Sequence, residues 1–294
     1  MAWILSAFAD EAATGMDDQI RACTEAGIDH IDLRNVDEVN IVDLPLDHAR
    51  AVQEKLDAAG VHVCMYGSPI GKIDLADDPE IDRQRLRHLG ELKKIFGARA
   101  VRIFSYFNDK TQADEAAWRR EALDRLRQLA ELAADLDLVL YHENELKIFG
   151  DTCRRICVLR DEVHRLHPES FKLIFDFDNF NQLDEDVWEN WLQLRDDVEA
   201  IHLKESKKQP DGSFQHVPAG QGDGHIVRIL QDLADRGWEG PLTLEPHLAR
   251  SPAVLATGPH GQANQSLADL DDFGCFQLAA SEAVRLLEQV GRRG

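Results

Sequence analysis

Short apolar runs alternate with longer amphipathic runs along almost the whole chain, and this alternation limits the fold more than any other feature of the sequence. Several of the short runs are apolar almost throughout, which is typical of strands that are covered on both faces. We predict eight strands: WILSAFA (3–9), HIDLR (30–34), HVCMYG (62–67), AVRIFSY (100–106), LVLYHE (138–143), KLIFDF (172–177), AIHLKE (200–205) and PLTLEP (241–246).

Helical patterns fill the segments between these strands, and several of them end at a glycine. MDDQIRACTEAG ends at Gly27 and LDHARAVQEKLDAAG ends at Gly60, which are positions that glycine favours just after a helix. Eight strand–helix units within 294 residues predict an α/β fold, the (β/α)8 TIM barrel, whose typical length is about 250 residues. The alternative is an open doubly wound sheet, which usually has a Gly-rich turn after its first strand, and SAFADEAATG is not such a turn.

The chain shows no internal boundary between domains. No linker rich in Pro, Gly or Ser divides it, so we predict one domain over residues 1–294. Two predicted loops are long, 206–224 after the seventh strand and 247–269 after the eighth strand. Loops of this length in a compact domain tend to be functional or mobile.

The net charge of −21 restricts the partners of this chain. Proteins that bind nucleic acid or anionic membranes through phosphate groups need a basic surface, so we expect neither partner. A small anionic substrate stays compatible with the sequence, because a few Lys and Arg residues inside a cleft can outweigh the global charge locally. The sequence is also compatible with a homo-oligomer, although it does not fix the oligomeric state.

The cysteines and the N-terminus indicate the compartment. The five cysteines are odd in number and form no Cys-x-x-Cys pair, which favours a reducing environment. The N-terminal segment lacks the basic region of a signal peptide, and no stretch approaches the roughly 18 apolar residues of a membrane span. We therefore predict a cytoplasmic protein.

The last four predicted strands each carry one polar side chain at or near the carboxyl end. These residues are Glu143, Asp176, His202 and Glu245. A TIM barrel opens all its strand ends onto one face, where its chemistry takes place. Three carboxylates and one imidazole form a mixed oxygen and nitrogen set that suits Mn²⁺, Mg²⁺, Co²⁺ or Zn²⁺. The alternative is that each residue only caps a strand or a helix, and Glu145 would replace Glu143 if the strand register differed by two.

Cationic side chains also lie at the predicted strand ends. Lys72, Arg102 and Lys204 would bind a phosphate or carboxylate or polarise a hydroxyl group; alternatively, they would neutralise the carboxylates around them. Arg102 lies inside a hydrophobic strand, where an unpaired charge is costly, and this favours a functional role. His247 follows Glu245 by two residues and is expected on the same side of the chain, as a further candidate for substrate binding.

Several motifs occur in an order that resembles a known family. They are SAFADEAA, GSPIGK, VRIFS, HENE, DFDNF (176–180), IHLKE and VPAGQGDG followed by ILQDLADRGWEGPLTLEPHL. Over nearly its whole length the sequence resembles the xylose isomerase-like TIM barrel superfamily, in particular its sugar phosphate isomerase/epimerase branch. The resemblance implies metal ligands at Glu143, Asp176, His202 and Glu245, with Glu143 and Glu245 also acting as catalytic acid and base.

The function implied by the resemblance is a divalent-metal-dependent sugar or sugar phosphate isomerase or epimerase that acts on a carbohydrate or polyol. The two glutamates would transfer a proton through an enediolate that the metal stabilises. Three positions depart from the pattern of free-ketose epimerases: Asn179 and Lys208 stand where those enzymes have His and Arg, and Phe149 stands in place of a substrate-contacting Glu. Asn179 is kept as a substrate-binding candidate.

Other functions remain open at this point. The same superfamily contains metal-dependent dehydratases of keto-inositols and keto-acids, which use the same ligands to expel water. An apurinic-endonuclease-like nuclease would need a histidine-rich, multi-zinc site and a basic face, which the net charge of −21 opposes. A non-catalytic sugar-binding protein is the third alternative.

Overall fold

The computed structural model describes residues 3–257, 262 and 264–292. Within them, eight parallel strands form a nearly closed barrel that is surrounded by helices, which confirms the predicted (β/α)8 fold. The barrel strands are β1 Ile4–Ala7, β2 His30–Leu33, β3 His62–Tyr66, β4 Ala100–Ile103, β5 Val139–Glu143, β6 Phe171–Asp176, β7 Val198–Leu203 and β8 Pro241–Leu244. No helix in these described ranges is long and apolar enough to cross a membrane.

Seven parallel ladders join the strands in the order β1-β8-β7-β6-β5-β4-β3-β2. A side-chain hydrogen bond links the two strands at the ends of this order, because the Ser6 hydroxyl of β1 donates to Asp32 of β2 over 2.6 Å. The ladder between β6 and β7 pairs Asp176 with His202. The two side chains therefore leave the sheet next to each other and on the same side.

The described residues include ten α-helices, most of which pack around the barrel. They are α1 Met16–Glu25, α2 Leu46–Ala59, α3 Glu80–Phe96, α4 Glu115–Asp135, α5 Cys153–Leu159, α6 Phe177–Asn181, α7 Val187–Leu194, α8 Ile226–Asp235, α9 Pro252–Thr257 and α10 Asp272–Gln289. Asp114, Asp186 and Asp271 precede α4, α7 and α10, and each carboxylate accepts a backbone N–H of the first turn. Such caps satisfy donors that have no partner inside the helix.

The structure differs from the sequence-based prediction mainly in short elements. Strand β7 begins two residues before the predicted 200–205. Loop 206–224 contains a hairpin of Ser206–Lys208 and Phe214–His216, and loop 247–269 contains α9 and a short helical turn. Residues 258–261 and 263 of that second loop lie outside the described residues. Strands of three residues are too short to show a hydrophobic period, which explains why they were missed.

Alternation along each strand decides which side chains point into the barrel. Met65, Ile174 and Ala200 form a small buried apolar cluster that is separate from the main core between strands and helices. Asp176 and His202 follow Ile174 and Ala200 by two residues, so they point the same way, one layer closer to the carboxyl ends of the strands. The barrel therefore holds this apolar cluster below a polar mouth, together with one buried polar group in which Ser6 and Thr243 donate hydrogen bonds to Asp32.

Gly71 provides a test of how tightly the loop after β3 is fixed to β4. Its φ is +82°, and a Cβ atom there would lie 2.1 Å from the carbonyl oxygen of Phe104. Gly15 has a φ of −77° and open space around the Cβ position, so it serves as the matched control. We expect Gly71→Ala to lower the free energy of unfolding by about 3 kcal/mol or more and Gly15→Ala to change it by less than about 1 kcal/mol. Denaturant titration measures both values, and equal effects would contradict the prediction.

Candidate functional site

Four buried side chains meet at the carboxyl end of the barrel, one from each of the last four strands. We call Glu143, Asp176, His202 and Glu245 the ligand cluster. Each residue offers one donor atom, and the four atoms lie within 4.8 Å of one another. Glu143 and Asp176 end β5 and β6, His202 lies near the end of β7, and Glu245 directly follows β8. The structure thus brings together the four residues that the sequence analysis singled out as metal ligands.

Direct contacts connect the members of the ligand cluster. The Nδ1 atom of His202 lies 3.0 Å from Glu143 Oε1 and 3.3 Å from Glu245 Oε2. The ammonium group of Lys204 lies 3.1 Å from Asp176 Oδ2 and 3.7 Å from Glu245 Oε2. The two glutamates therefore flank one imidazole nitrogen, and Asp176 lies on the side of Lys204.

The donor set fits a divalent metal ion. Asp176 Oδ2, His202 Nε2 and Glu245 Oε2 are buried polar atoms that make no hydrogen bond within the described part of the chain. Buried polar groups without a hydrogen bond are rare and call for an explanation. Three carboxylates and one imidazole are suitable ligands for Mg²⁺, Mn²⁺, Co²⁺ or Zn²⁺, and the structure does not select among these ions.

The acid–base properties within the cluster diverge. Burial raises the pKa of Glu143, but the neighbouring His202 and Arg102 lower it more strongly, to about 2. Burial also opposes the charged form of Glu245, yet Lys204 and His202 hold its pKa well below the usual range. Burial raises the pKa of Asp176 well above its usual value although Lys204 lies beside it. Carboxyl groups in one cluster thus differ strongly in their tendency to hold a proton.

Arg34 forms a second buried layer beside the ligand cluster. Its guanidinium group lies 2.9 Å from Asp10, 3.3 Å from Glu11 and 3.0 Å from Glu245 Oε1. His247 joins this layer, because its backbone N–H donates to Glu11 and its Nε2 lies 3.4 Å from Glu245 Oε1. Sequence reasoning did not assign Asp10, Glu11 and Arg34 to the site, although they lie at the carboxyl ends of the first two predicted strands.

Arg102 and Lys72, the remaining cations proposed from the sequence, each form an ion pair with a carboxylate. Arg102 Nη1 lies 3.3 Å from Glu143 Oε2, and the guanidinium carbon is 4.7 Å from the centre of the Phe8 ring. Lys72 Nζ lies 2.9 Å from Glu145 Oε2 at the more exposed edge of the site. Glu145, the alternative ligand of the sequence analysis, is therefore turned toward Lys72, and Glu143 is in the ligand cluster.

Asn144 joins the ends of β5 and β6. Its side-chain oxygen accepts the backbone N–H of Asp176 over 2.9 Å, and its amide donates to the Asp176 carbonyl over 3.0 Å. The amide of Asn179 donates to the Asn144 carbonyl, and the backbone N–H of Asn179 donates to Asp176 Oδ1. These bonds leave Asp176 Oδ2 directed at the cluster. Asn179, a substrate-binding candidate of the sequence analysis, is thus engaged in holding a proposed ligand in place.

The long loop after β7 brings a further imidazole to the site. The Nδ1 atom of His216 lies 3.4 Å from Asp178 Oδ2, and the ring centres of His216 and His247 are 5.3 Å apart. The Ser206 hydroxyl donates to Asp178 and helps to fix the loop there. Neither ring nitrogen of His216 makes a hydrogen bond with the described residues. The sequence offered no signal for His216, because it lies inside a predicted loop and not at a strand end.

Glu205 anchors the other half of the same loop. Its carboxylate accepts three backbone N–H groups: from Gly220 over 2.6 Å, Gly222 over 3.0 Å and Gly224 over 3.0 Å. A Cβ atom on Gly222 would lie 2.4 Å from the Ser206 carbonyl oxygen, so only glycine allows this close approach. Burial raises the pKa of Glu205 from its usual 4.5 to about 7, against the lowering effect of the three donors.

Replacement of one candidate ligand tests whether the ligand cluster binds a metal ion. We expect Asp176→Asn to weaken Mn²⁺ binding by roughly 100-fold or more, because even residues that only support ligands cost about 10–100-fold when they are replaced. Isothermal titration with Mn²⁺ on protein stripped with EDTA measures the affinity. Asp135→Asn is the matched control, since Asp135 is exposed at the end of α4. Equal Mn²⁺ affinity of both variants would remove Asp176 from the ligand set.

The raised pKa of Glu205 predicts a specific pH dependence of stability. A carboxyl group whose pKa is higher in the folded state contributes stability below pH 4.5, and this contribution is lost as the pH rises through about 7. Relative to Glu205→Gln, the wild type should therefore lose about 3 kcal/mol of unfolding free energy between pH 4.5 and pH 8. Denaturant titrations of both proteins across this range measure the difference, and a constant difference would contradict it.

Comparisons with known proteins agree with the fold. The model of the xylose isomerase-like TIM barrel family matches residues 20–271. The L-ribulose-5-phosphate 3-epimerase UlaE of Shigella flexneri is 24% identical over 242 residues, which cover 78% of this chain and 81% of that protein.

Two solved structures show the same fold. The probable 3-DHS dehydratase AsbF of Bacillus anthracis has a TM-score of 0.70 at 18% identity, covering 97% of this chain and 99% of that one. A xylose isomerase-like TIM barrel protein of Mycobacterium smegmatis in complex with magnesium has a TM-score of 0.70 at 16% identity, covering 98% and 97%. The family match extends over most of the chain and over all four strands of the ligand cluster. This chain therefore belongs to the xylose isomerase-like TIM barrel family.

Proposed function

We propose that this protein is a divalent-metal-dependent sugar epimerase or isomerase in which Glu143 and Glu245 transfer the proton. The supporting observation is the placement of these two glutamates on either side of His202 Nδ1, at 3.0 and 3.3 Å. The similarity to the Shigella epimerase over about four fifths of each chain supports the same reaction class. Both carboxylates are buried, so a substrate between them would be shielded from water.

The ligand cluster would hold the metal ion, since it offers four donor atoms close together and contains three buried polar atoms that make no hydrogen bond with the described residues. When it is bound, a divalent ion polarises neighbouring carbonyl and hydroxyl oxygens of a substrate and so makes the adjacent C–H bond more acidic. All other steps fall to the protein's own side chains.

Proton transfer at a sugar carbon needs a base on one side and an acid on the other. In this protein each glutamate has one oxygen near His202 and the other near an arginine: Arg102 at 3.3 Å for Glu143 and Arg34 at 3.0 Å for Glu245. The arginines fix the orientation of the carboxylates, so that one oxygen of each stays directed at the cluster. One glutamate would take the proton from the substrate carbon, and the other would return a proton to the opposite face.

Two cations are placed to stabilise negative charge that develops on a substrate oxygen. Lys204 is buried among the carboxylates of Asp176 and Glu245, with its ammonium at the inner wall of the site. Arg102 reaches the same space from β4. A donor fixed in a water-poor site stabilises such charge more strongly than water would.

Solvent exchange tests the proton transfer directly. We expect the Mn²⁺-loaded protein to incorporate deuterium from D₂O into at least one ketose of a panel, as read by NMR. Glu143→Gln and Glu245→Gln should each lower this exchange by roughly 100-fold or more, because each removes a group that accepts or donates the proton. Glu169→Gln is the matched control, since Glu169 is exposed just before β6.

The outcomes separate the proposed roles from their alternatives. Full exchange in both Gln variants would refute the acid–base assignment. Ketose binding without exchange in the wild type would instead indicate a non-catalytic sugar-binding protein. Mn²⁺ titration of both variants must accompany the assay, because Glu143 and Glu245 are also proposed ligands, and a variant that retains Mn²⁺ but loses exchange isolates the proton transfer.

A dehydratase is the second candidate, and the imidazoles at the loop side of the site favour it. His216 and His247 both carry a buried ring nitrogen that makes no hydrogen bond within the described ranges. Elimination of water needs an acid that protonates the departing hydroxyl group, which is a common role of histidine. His247 would take this role, because burial lowers the pKa of His216 well below its usual value. Mass spectrometry of the products distinguishes the two reactions, since a dehydratase product has lost one water and an epimer has not.

A further inference from the structure

We infer that the substrate is an uncharged sugar or polyol and that sugar phosphates and sugar acids are excluded. This inference rests on the proposed function and concerns the charge of the same site. It does not follow from the comparisons, because the Shigella relative is named for a phosphorylated sugar. It rests on two independent observations: the pairing of the cations in the site and the occupation of a set of backbone N–H groups.

Carboxylates outnumber the cations at the carboxyl end of the barrel. The carboxylates that line this region, which we call the mouth, are Asp10, Glu11, Glu143, Glu145, Asp176, Asp178 and Glu245. The Lys and Arg side chains paired with them are Arg34, Lys72, Arg102 and Lys204. A phosphate dianion would therefore have to enter a space that is lined mainly by carboxylates.

Each of these four cations has a carboxylate partner within the mouth. Arg34, Arg102 and Lys204 each lie within 3.7 Å of Glu245 and also contact a second carboxylate. They are held by groups that belong to the site itself. To bind an anionic substrate, one of them would have to leave a buried carboxylate unpaired, which is costly in a site of low polarity.

Lys72 is the most exposed of the four cations, and it is also paired. Its ammonium lies 2.9 Å from Glu145 and 4.3 Å from the centre of the Phe104 ring. A phosphate that approached Lys72 would therefore also come close to the negative charge of Glu145. Glu145 thus repels an anion at the position where the mouth would otherwise present a more accessible cation, Lys72.

The second observation concerns the place where TIM barrels often bind phosphate. That place is formed by the loops after the seventh and eighth strands, where backbone N–H groups converge on the anion. In this protein three N–H groups do converge in the loop after β7, those of Gly220, Gly222 and Gly224. All three donate to Glu205, a side chain of the same chain. The Glu205 side chain occupies the place where a phosphate would bind these N–H groups. It does so whether it is protonated or charged, because its oxygens can accept hydrogen bonds in both states.

The loops after β7 and β8 contain three further basic residues, Lys207, Lys208 and Arg250. Lys207 and Lys208 are exposed, and Lys208 forms an ion pair with Asp184. Residues 258–263, which include the part of the second loop outside the described residues, contain no Lys or Arg in the sequence. Arg250 is the one Lys or Arg in loop 247–269 of the sequence, so the experiment includes it as a variant.

The test compares each free ketose with its own phosphate ester. The Mn²⁺-loaded protein is assayed for deuterium exchange with D-fructose, L-ribulose and D-xylulose and with the terminal phosphate ester of each. We expect kcat/KM for every ester to be about tenfold or more below that of its parent sugar, because like charges brought together in a site are strongly unfavourable. Glu145→Gln should reduce this difference by about tenfold, since it removes the charge next to Lys72.

The outcomes keep this inference separate from the proposed function. Exchange that is as fast or faster with the esters would overturn the inference and leave the epimerase proposal standing. A selective loss of ester activity in Lys72→Gln or Arg250→Gln would overturn it in the same way. If none of the compounds exchanges, the proposed function fails for this panel, and calorimetry on the same protein decides the inference: tighter binding of an ester than of its parent sugar overturns it, and equal or weaker binding supports it.

Discussion

The burial of many carboxylates at one end of a barrel is the constraint on which the rest of this site depends. An isolated buried charge is strongly unfavourable, and several charges of one sign repel one another as well. The protein meets this constraint with inward-facing cations from strands on opposite sides of the ring: Arg34 after β2, Arg102 on β4 and Lys204 after β7. All three reach Glu245, which makes this carboxylate the centre of the charge network. The network holds only if the barrel closes, because Arg34 and Glu245 are 211 residues apart.

The sequence allowed the fold and the ligand cluster to be predicted because both depend on local periodicity. Apolar runs mark the strands, and alternation along a strand shows which side chains share a face, so Glu143, Asp176, His202 and Glu245 could be proposed together. The Arg34 layer depends on contacts between distant strands, which no local pattern reveals. His216 depends on the path of a long loop, and loop paths are fixed by particular contacts such as that between Ser206 and Asp178.

Asn179 shows a different limit of sequence reasoning. Its position relative to Asp176 made it a candidate for contact with the substrate, but in the structure both its amide and its backbone N–H bind the ends of β5 and β6. The side chains of Asn144 and Asn179 form hydrogen bonds with backbone groups at the ends of β5 and β6, where the strand pairing stops. Residues that support a metal-binding side chain in this way orient it and limit its motion. Their replacement lowers the affinity of the site for the metal ion.

The surroundings of the two glutamates are similar but not equal, and the difference bears on their roles. Both have one oxygen near His202 and one near an arginine. Glu245 in addition lies 3.7 Å from Lys204 and 3.4 Å from His247. Against the effect of burial, Lys204 and His202 hold the pKa of Glu245 well below its usual range, whereas His202 and Arg102 lower the pKa of Glu143. Different cations thus keep each glutamate in its charged form, so both start as carboxylates that can act as a base. If the two transfer the proton as proposed, the glutamate that returns it must first be protonated, and the two exchange these roles when the reaction runs in the opposite direction.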